Sequence, residues 1–348
     1  MIRVGIIGVA GYGGGELVRI LSDHPEVELS YLASETFKGR DIGVALPNMR
    51  GVIKAECRPY DAEKIAAECD FVFMAQHNGW AMKEAARYLD AGLKVVDQSA
   101  DFRLRRKNDY EEWYNLTHES PQLLSEAVYG LPELYRDKIS EARLVANPGC
   151  YPTSAILALA PMLKERLIDP DTIIIDSKSG VSGAGRSKFQ IDYHFPEMNE
   201  SMKAYGIGVH RHTPEIEQEL GRAAGRPITL SFTPHLIPIT RGILTTAYAG
   251  MIGTEWDTTE LLNLYREFYK NAPFVVILDE GEYPATKHTF GSNYVHIGLK
   301  VDSRTNRLVV SSALDNLVKG NAGQAVQNMN LMCGFDEKTA LDKPGLMP

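Results

Sequence analysis

The sequence predicts an α/β chain in two domains: a doubly wound parallel sheet first, then an α+β domain with a mostly antiparallel sheet. Three observations carry this. Over roughly the first 150 residues, short apolar, β-branched runs alternate with helix-like segments. Beyond that point the strands lengthen and alternate apolar with polar residues, as a sheet with one buried face requires. A chain of 348 residues, at ~150 per domain, has room for about two domains, each able to bury its own core.

In chain order, Ile2 to Val9 reads as a buried strand, followed by a Gly-rich turn and a helical pattern through Leu17, Val18 and Leu21. Val27 to Ala33 is a second strand. Asp70 to Ala75 and Lys94 to Asp97 are short buried strands with a helix over Ala81 to Ala91 between them, and Leu144 to Ala146 is one more. This alternation gives parallel pairing. A helix follows at Thr153 to Arg166, then strands at Thr172 to Ser177, Ile228 to Leu236, Gly242 to Gly250, Tyr294 to Val301 and Leu308 to Leu314. The last two are joined by a hairpin-like Asp302–Asn306 connection. The tail from Asn321 to Met332 has helical character. We expect a nucleotide domain over 1–148, completed by the segment from about 318 to 348, and a catalytic and oligomerisation domain over 149–317.

With 37 Lys plus Arg against 45 Asp plus Glu, the net charge is −8 and the pI about 5.7. Such a balance argues against nucleic acid or an anionic membrane as partner. No run approaches the ~18 apolar residues of a membrane span, and the N-terminus does not read as a secretory signal. Four cysteines without close spacing suggest free thiols in a reducing, cytoplasmic setting. No CxxC or HExxH is present, and no metal site is expected.

Gly8, Gly11 and Gly14, with Tyr12 and Gly13 between, form a GxxGxxG turn between the first strand and a helix. Glycine there lets the backbone approach a pyrophosphate, and the helix N-terminus supplies free N–H groups and partial positive charge. This is the Rossmann-type arrangement for a nicotinamide dinucleotide. Ser34 stands at the tip of the second strand with Lys38 and Arg40 behind it, which suits a 2′-phosphate and hence NADP. Glu35 argues mildly for NAD.

The most informative stretch is Asn147-Pro148-Gly149-Cys150-Tyr151-Pro152-Thr153. It links a strand to a helix, with Pro152 suited to the first turn. Cys150 then sits at a helix N-terminus, where N–H groups stabilise a thiolate and an oxyanion. Cys57, Cys69 and Cys333 read as small buried apolar residues. A reactive cysteine needs a proton carrier beside its sulfur. His210-Arg211-His212-Thr213-Pro214-Glu215 offers two imidazoles ahead of a helix that Thr213 is expected to cap. Arg103, Arg211 and Arg241 are candidate cations for binding an anionic substrate group. Ser179, Gly180, Ser182 and Gly183 lie in a loop suited to a phosphate or a nicotinamide.

These motifs resemble the N-acetyl-gamma-glutamyl-phosphate reductase family of arginine biosynthesis, kin to aspartate-semialdehyde dehydrogenase and, more distantly, glyceraldehyde-3-phosphate dehydrogenase. The resemblance runs through Ser99–Arg103, Asn147–Thr153, Ser179–Arg186, Val209–Ile216, Pro234–Pro238 with Arg241-Gly242, and Asp315–Gly320. It implies a glyceraldehyde-3-phosphate dehydrogenase-like fold and a homodimer or homotetramer. It also implies NADPH-dependent reduction of N-acetyl-glutamyl 5-phosphate through a Cys150 thioester. It carries the acid–base role onto His210, oriented by Glu215, with His212 the competing assignment, and cofactor binding onto Asn316. A sister enzyme for aspartyl phosphate or a lysine-pathway homologue, and a non-catalytic NADP-sensing protein, are the alternatives.

Overall fold

The computed structural model describes residues 1–187, 190–253 and 256–347. Two compact units emerge. The first comprises Met1–Pro148, Gly185–Ser187 and Asn321–Lys343, and the second the remaining described residues from Gly149 onward.

The first unit is built on strands β1 (Ile2–Ile7), β2 (Val27–Ala33), β3 (Arg40–Asp41), β4 (Glu56–Arg58), β5 (Phe71–Met74), β6 (Lys94–Asp97), β7 (Val128–Tyr129) and β8 (Leu144–Ala146). They form one sheet in the order β3-β4-β2-β1-β5-β6-β8-β7. All neighbours pair in parallel except β3, which runs antiparallel to β4 at the edge. The central strands are apolar along their middles, where Val4, Ile6, Val72, Phe73, Val95 and Val96 are fully buried, as a sheet covered on both faces requires. β1 pairs with β2 on one side and β5 on the other. The winding reverses there, and the crevice at the carboxyl end of β1 is where such sheets hold ligands. The Tyr12–Leu21 helix starts five residues after β1 and buries Leu17, Val18 and Leu21. The C-terminal helix Gly323–Cys333 also belongs to this unit.

Strands β9 (Ile168–Gly180), β10 (Lys203–Ala204), β11 (Ser231–Ile237), β12 (Ile243–Met251), β13 (Val275–Ile277), β14 (Val295–Asp302) and β15 (Arg307–Leu314) build the second unit. Their order is β10-β11-β9-β12-β15-β14-β13. β12 buries alternate residues, with one face toward helices and the other half exposed. The helix Cys150–Lys164 is buried from Tyr151 through Leu163, consistent with its apolar character on every side. It packs against β9, β12 and β15 and against the helix Thr213–Ala224.

The second sheet is mostly antiparallel, as expected, and takes in two parallel pairs, β11 with β9 and β13 with β14. The first of these pairs is a crossover through the Thr213–Ala224 helix, which the alternating strand pattern conceals. β9 begins at Ile168 rather than Thr172, since the β12 ladder continues past Pro170 to pair Met251 with Ile168. The helix of the cysteine turn starts at Cys150, three residues earlier than expected.

Candidate active site

The glycine turn of the first unit is an open backbone cradle. Gly8 has φ +98°, and a Cβ there would lie 2.3 Å from the Ala75 carbonyl oxygen. A Cβ on Gly14 would lie 2.2 Å from the Gly8 carbonyl oxygen. Neither position admits a side chain. Gly11 is the N-cap, and Tyr12 and Gly13 open the helix, with Tyr12 43% exposed. The first-turn N–H groups of a helix have no intrahelical acceptors and carry partial positive charge. Bare backbone at a helix mouth, on the carboxyl side of a switch-point strand, fits a dinucleotide pyrophosphate.

Around this cradle, Ser34 is buried at the tip of β2, and its Oγ accepts the Phe37 N–H at 3.3 Å. Lys38 is exposed and paired with Glu35 at 3.5 Å. One cation missed at the sequence level joins them. Arg186 Nη1 donates to the carbonyls of Ala10, at 3.0 Å, and Ala45, at 2.9 Å. The signal available was its place at the end of the Ser179–Arg186 stretch. Nothing local tied that stretch to residue 10.

In the second unit Cys150 is the first residue of its helix and Gly149 the N-cap. Three contacts shape this turn. Glu215, fully buried, accepts the Gly149 N–H at 2.8 Å. A Cβ on Gly149 would lie 2.6 Å from His212 Nε2, so only glycine lets that ring edge approach. A Cβ on Gly320 would lie 2.8 Å from Cys150 Cβ. Burial raises the thiols of Cys57, Cys69 (to about 12) and Cys333 (to about 11). These three behave as apolar packing residues.

His210 lies 5.4–5.7 Å, centroid to centroid, from Tyr151, Tyr205 and Phe232, and 4.9 Å from His212. Burial, and then the neighbouring Arg211 charge, push its pKa down to about 4. Its Nδ1 accepts the His212 N–H at 3.1 Å, which leaves the proton of the neutral ring on Nε2. Tyr205 is raised to about 12, first by burial. Thr213 does not cap its helix. The N-cap is His212, without a side-chain cap bond, and Thr213 is already helical.

The Ser179–Gly183 loop is tied down by the Asn316 amide and by its own backbone, the Val181 and Ser182 N–H groups donating to the carbonyls of Ile239 at 2.9 Å and Thr240 at 3.1 Å. Asn316 Nδ2 donates to Ser182 Oγ at 2.9 Å, and its Oδ1 accepts the Gly242 N–H at 2.7 Å. The Gly180 N–H donates to the Gly242 carbonyl at 2.9 Å. Arg241, beside this staple, lies 3.7 Å from Asp315, which is fully buried. Arg211 is exposed. Ser179, Gly180, Ser182, Gly183 and Asn316 thus form one cluster within this unit.

Arg103 belongs to the first unit and is 8% exposed. Its Nε donates to the Asn147 carbonyl at 2.7 Å and its Nη2 to the Gln98 carbonyl at 3.0 Å. Asn147 is held further by Asn321 and Asn328, at 3.0 and 3.1 Å. The guanidinium therefore braces the chain just ahead of the cysteine turn. Nearby, burial and then Asp101 push the Asp97 carboxyl up, against the Ser99 N–H and Oγ–H bonds it accepts. Among the described residues, no group of three or more His, Cys, Asp or Glu side chains converges as a metal site would require. No helix among them is long and apolar enough to cross a membrane.

Family models match both units. Residues 3–142 match "Semialdehyde dehydrogenase, NAD binding domain" and residues 150–316 match "Semialdehyde dehydrogenase, dimerisation domain". Among solved structures, aspartate semialdehyde dehydrogenase II from Vibrio cholerae aligns with TM-score 0.72 at 16% identity, covering 96% of this chain and 99% of its own. The Candida albicans aspartate semialdehyde dehydrogenase with NADP aligns at 0.71 and 16%, covering 96% and 98%. At that identity the likeness is one of fold. The N-acetyl-gamma-glutamyl-phosphate reductases of Moorella thermoacetica and Geobacter metallireducens are each 52% identical to it, with all of both chains aligned. With its nucleotide cradle, its cysteine at a helix mouth and full-length identity at this level, the chain belongs to the N-acetyl-gamma-glutamyl-phosphate reductase family.

Proposed function

We propose that this chain reduces N-acetyl-glutamyl 5-phosphate to N-acetyl-glutamate 5-semialdehyde and phosphate with NADPH, in arginine biosynthesis. The 52% full-length identity to reductases of that name carries the reading. The local chemistry supports it. Cys150 Sγ attacks the acyl carbon, the bond to the phosphate oxygen breaks with its electron pair, and a thioester remains on Cys150. First-turn N–H groups of the Cys150 helix stabilise the oxyanion of the tetrahedral intermediate. Glu215 fixes the turn through the Gly149 N–H. The bound cofactor supplies the hydride that reduces the acyl carbon. Return of the thiolate as leaving group frees the aldehyde.

The acid–base role has two claimants, His210 and His212. What favours His212 is its Nε2 edge against Gly149, next to the sulfur-bearing residue. The Nδ1 lone pair of His210 is already taken by the His212 N–H, and its low pKa makes it a poor proton donor at neutral pH. On this reading His210 orients the His212 segment. For the phosphate, Arg211, Arg241 and Ser182 remain the candidates, with Arg103 a positioning residue.

NADP over NAD is supported by Ser34 at the β2 tip, with Lys38 and Arg40 following and no acidic residue at the tip itself. The proposal extends to domains of 1–148 plus the C-terminal segment for the dinucleotide and 149–317 for catalysis and self-association. The half-exposed outer face of the second sheet, with Ile174 43% exposed, supports a homodimer or homotetramer. Four free thiols support a cytoplasmic setting.

The test is aldehyde oxidation by the purified chain, with phosphate, comparing N-acetyl-glutamate semialdehyde with aspartate semialdehyde and NADP with NAD. Preference for the acetylated substrate and NADP is expected. Preference for aspartate semialdehyde overturns the substrate, and no turnover of either overturns the enzyme.

A further inference from the structure

Gln98 immediately follows β6, at the carboxyl end of the strand two places from β1. Its backbone is engaged: the N–H donates to the Met74 carbonyl at 3.0 Å, and the C=O accepts from Arg103 Nη2 at 3.0 Å. Its side-chain amide is not. Oε1 and Nε2 are both buried, and neither has a hydrogen-bond partner among the described residues. The amide faces the glycine cradle. A Cβ on Gly13 would come 3.3 Å from Gln98 Oε1 and 2.9 Å from Asn321 Nδ2.

An amide left unpaired in the interior costs about 1–3 kcal/mol. Leucine, of similar volume, would fill the same space without that cost. The position suggests what the amide is for. Across a switch point the adenine ribose lies over the end of β2, so the nicotinamide half extends over the β5–β6 side. That half carries a carboxamide and ribose hydroxyls, each combining donor and acceptor, as the Gln98 amide does.

We infer that Gln98 contacts the cofactor, its side-chain amide pairing with the polar groups of the nicotinamide half of the dinucleotide. The inference rests on the dinucleotide reading above. Fluorescence titration of the full chain with NADPH and with adenosine 2′,5′-bisphosphate, which lacks the nicotinamide half, tests it. If the wild type prefers NADH, NADH and AMP take their place. Gln98→Leu is expected to raise the Kd for the reduced dinucleotide about tenfold, the worth of a good hydrogen bond. The Kd for the adenine-half probe stays within about twofold, and the thermal midpoint of the free protein holds or rises. Equal weakening of both ligands, or unchanged dinucleotide affinity, overturns the inference. A wild type that binds neither probe overturns the dinucleotide reading, and this one with it. Should Gln98→Leu not fold, Gln98→Asn, one methylene shorter, is read by the same criteria.

Discussion

At the mouth of the Tyr12–Leu21 helix the chain offers mostly bare backbone: glycines at 8, 11, 13 and 14, with Tyr12 the one side chain between Gly11 and Gly14. At the mouth of the Cys150–Lys164 helix it offers side chains drawn from distant stretches. Glu215 accepts the Gly149 N–H, the His212 ring edge lies against Gly149, and Gly320 packs against Cys150. Both are helix N-termini and both suit anions. On the function proposed above, the first would hold an anion on backbone that a side chain at Gly8 or Gly14 would obstruct, and the second would activate one atom that its helix and neighbours position. The comparison teaches that damage should separate cleanly: breaking the cradle abolishes binding, and breaking the cysteine turn abolishes chemistry while binding survives.

The largest effect is expected at the cysteine turn. Cys150→Ser lowers turnover by roughly 10⁴-fold or more, as loss of a covalent nucleophile does. NADPH affinity, read by fluorescence titration, stays at the wild-type level. Residual reduction near the wild-type rate would mean that no thioester forms. Gly8→Ala is the converse. Its φ of +98° costs a non-glycine residue about 1–3 kcal/mol, before the contact with the Ala75 carbonyl is counted. Lower thermal stability together with lost dinucleotide affinity is expected. A variant that binds NADPH normally would remove the cradle from the cofactor site.

Within the cysteine turn the histidines separate next. His212→Asn lowers kcat by about 10²–10⁴-fold, the range for a lost general acid–base group. His210→Asn costs less, because asparagine can still accept the His212 N–H. If the order is reversed, His210 is the proton carrier. Glu215→Ala leaves the Gly149 N–H without its acceptor and destabilises the chain by about 1–3 kcal/mol by urea unfolding. Glu215→Gln keeps the acceptor and most of the stability.

The same contrast explains what was legible in the sequence. The cradle is local: its glycine spacing, the preceding strand and the following helix lie within 20 residues, so its elements could be read in order. Strands β2, β6 and β8 fall at the bounds the residue pattern predicts. The edge strands β3, β7 and β10 are two residues long, too short to carry a readable period, and β13, though apolar (Val275–Ile277), is only three. The side chains of the cysteine turn could be nominated by type. Their partners could not, since Glu215 holding the Gly149 N–H and Arg186 reaching the carbonyls of Ala10 and Ala45 are contacts between distant stretches. Gln98 escaped for a different reason: one amide after a strand has no sequence signature, and only its lack of partners among the described residues marks it.

The smallest effect concerns His210 and acid. Its folded pKa of about 4 lies below the ordinary value of 6.5, because burial among Tyr151, Tyr205 and Phe232 disfavours the cation and Arg211 adds repulsion. As pH falls through 6.5 the unfolded chain takes up this proton first, and the folded chain only near 4. Stability contributed by the neutral ring is therefore fully present above about pH 6.5 and is lost between there and about pH 4. His210→Asn, which has no proton to take up, should flatten the dependence of the urea midpoint on pH across that window by at most one proton equivalent. The wild-type and variant curves should run parallel above pH 7. Parallel curves at all pH values would mean that the ring is solvated in solution, and the case for His210 as a fixed, neutral support of the His212 segment would fall with it.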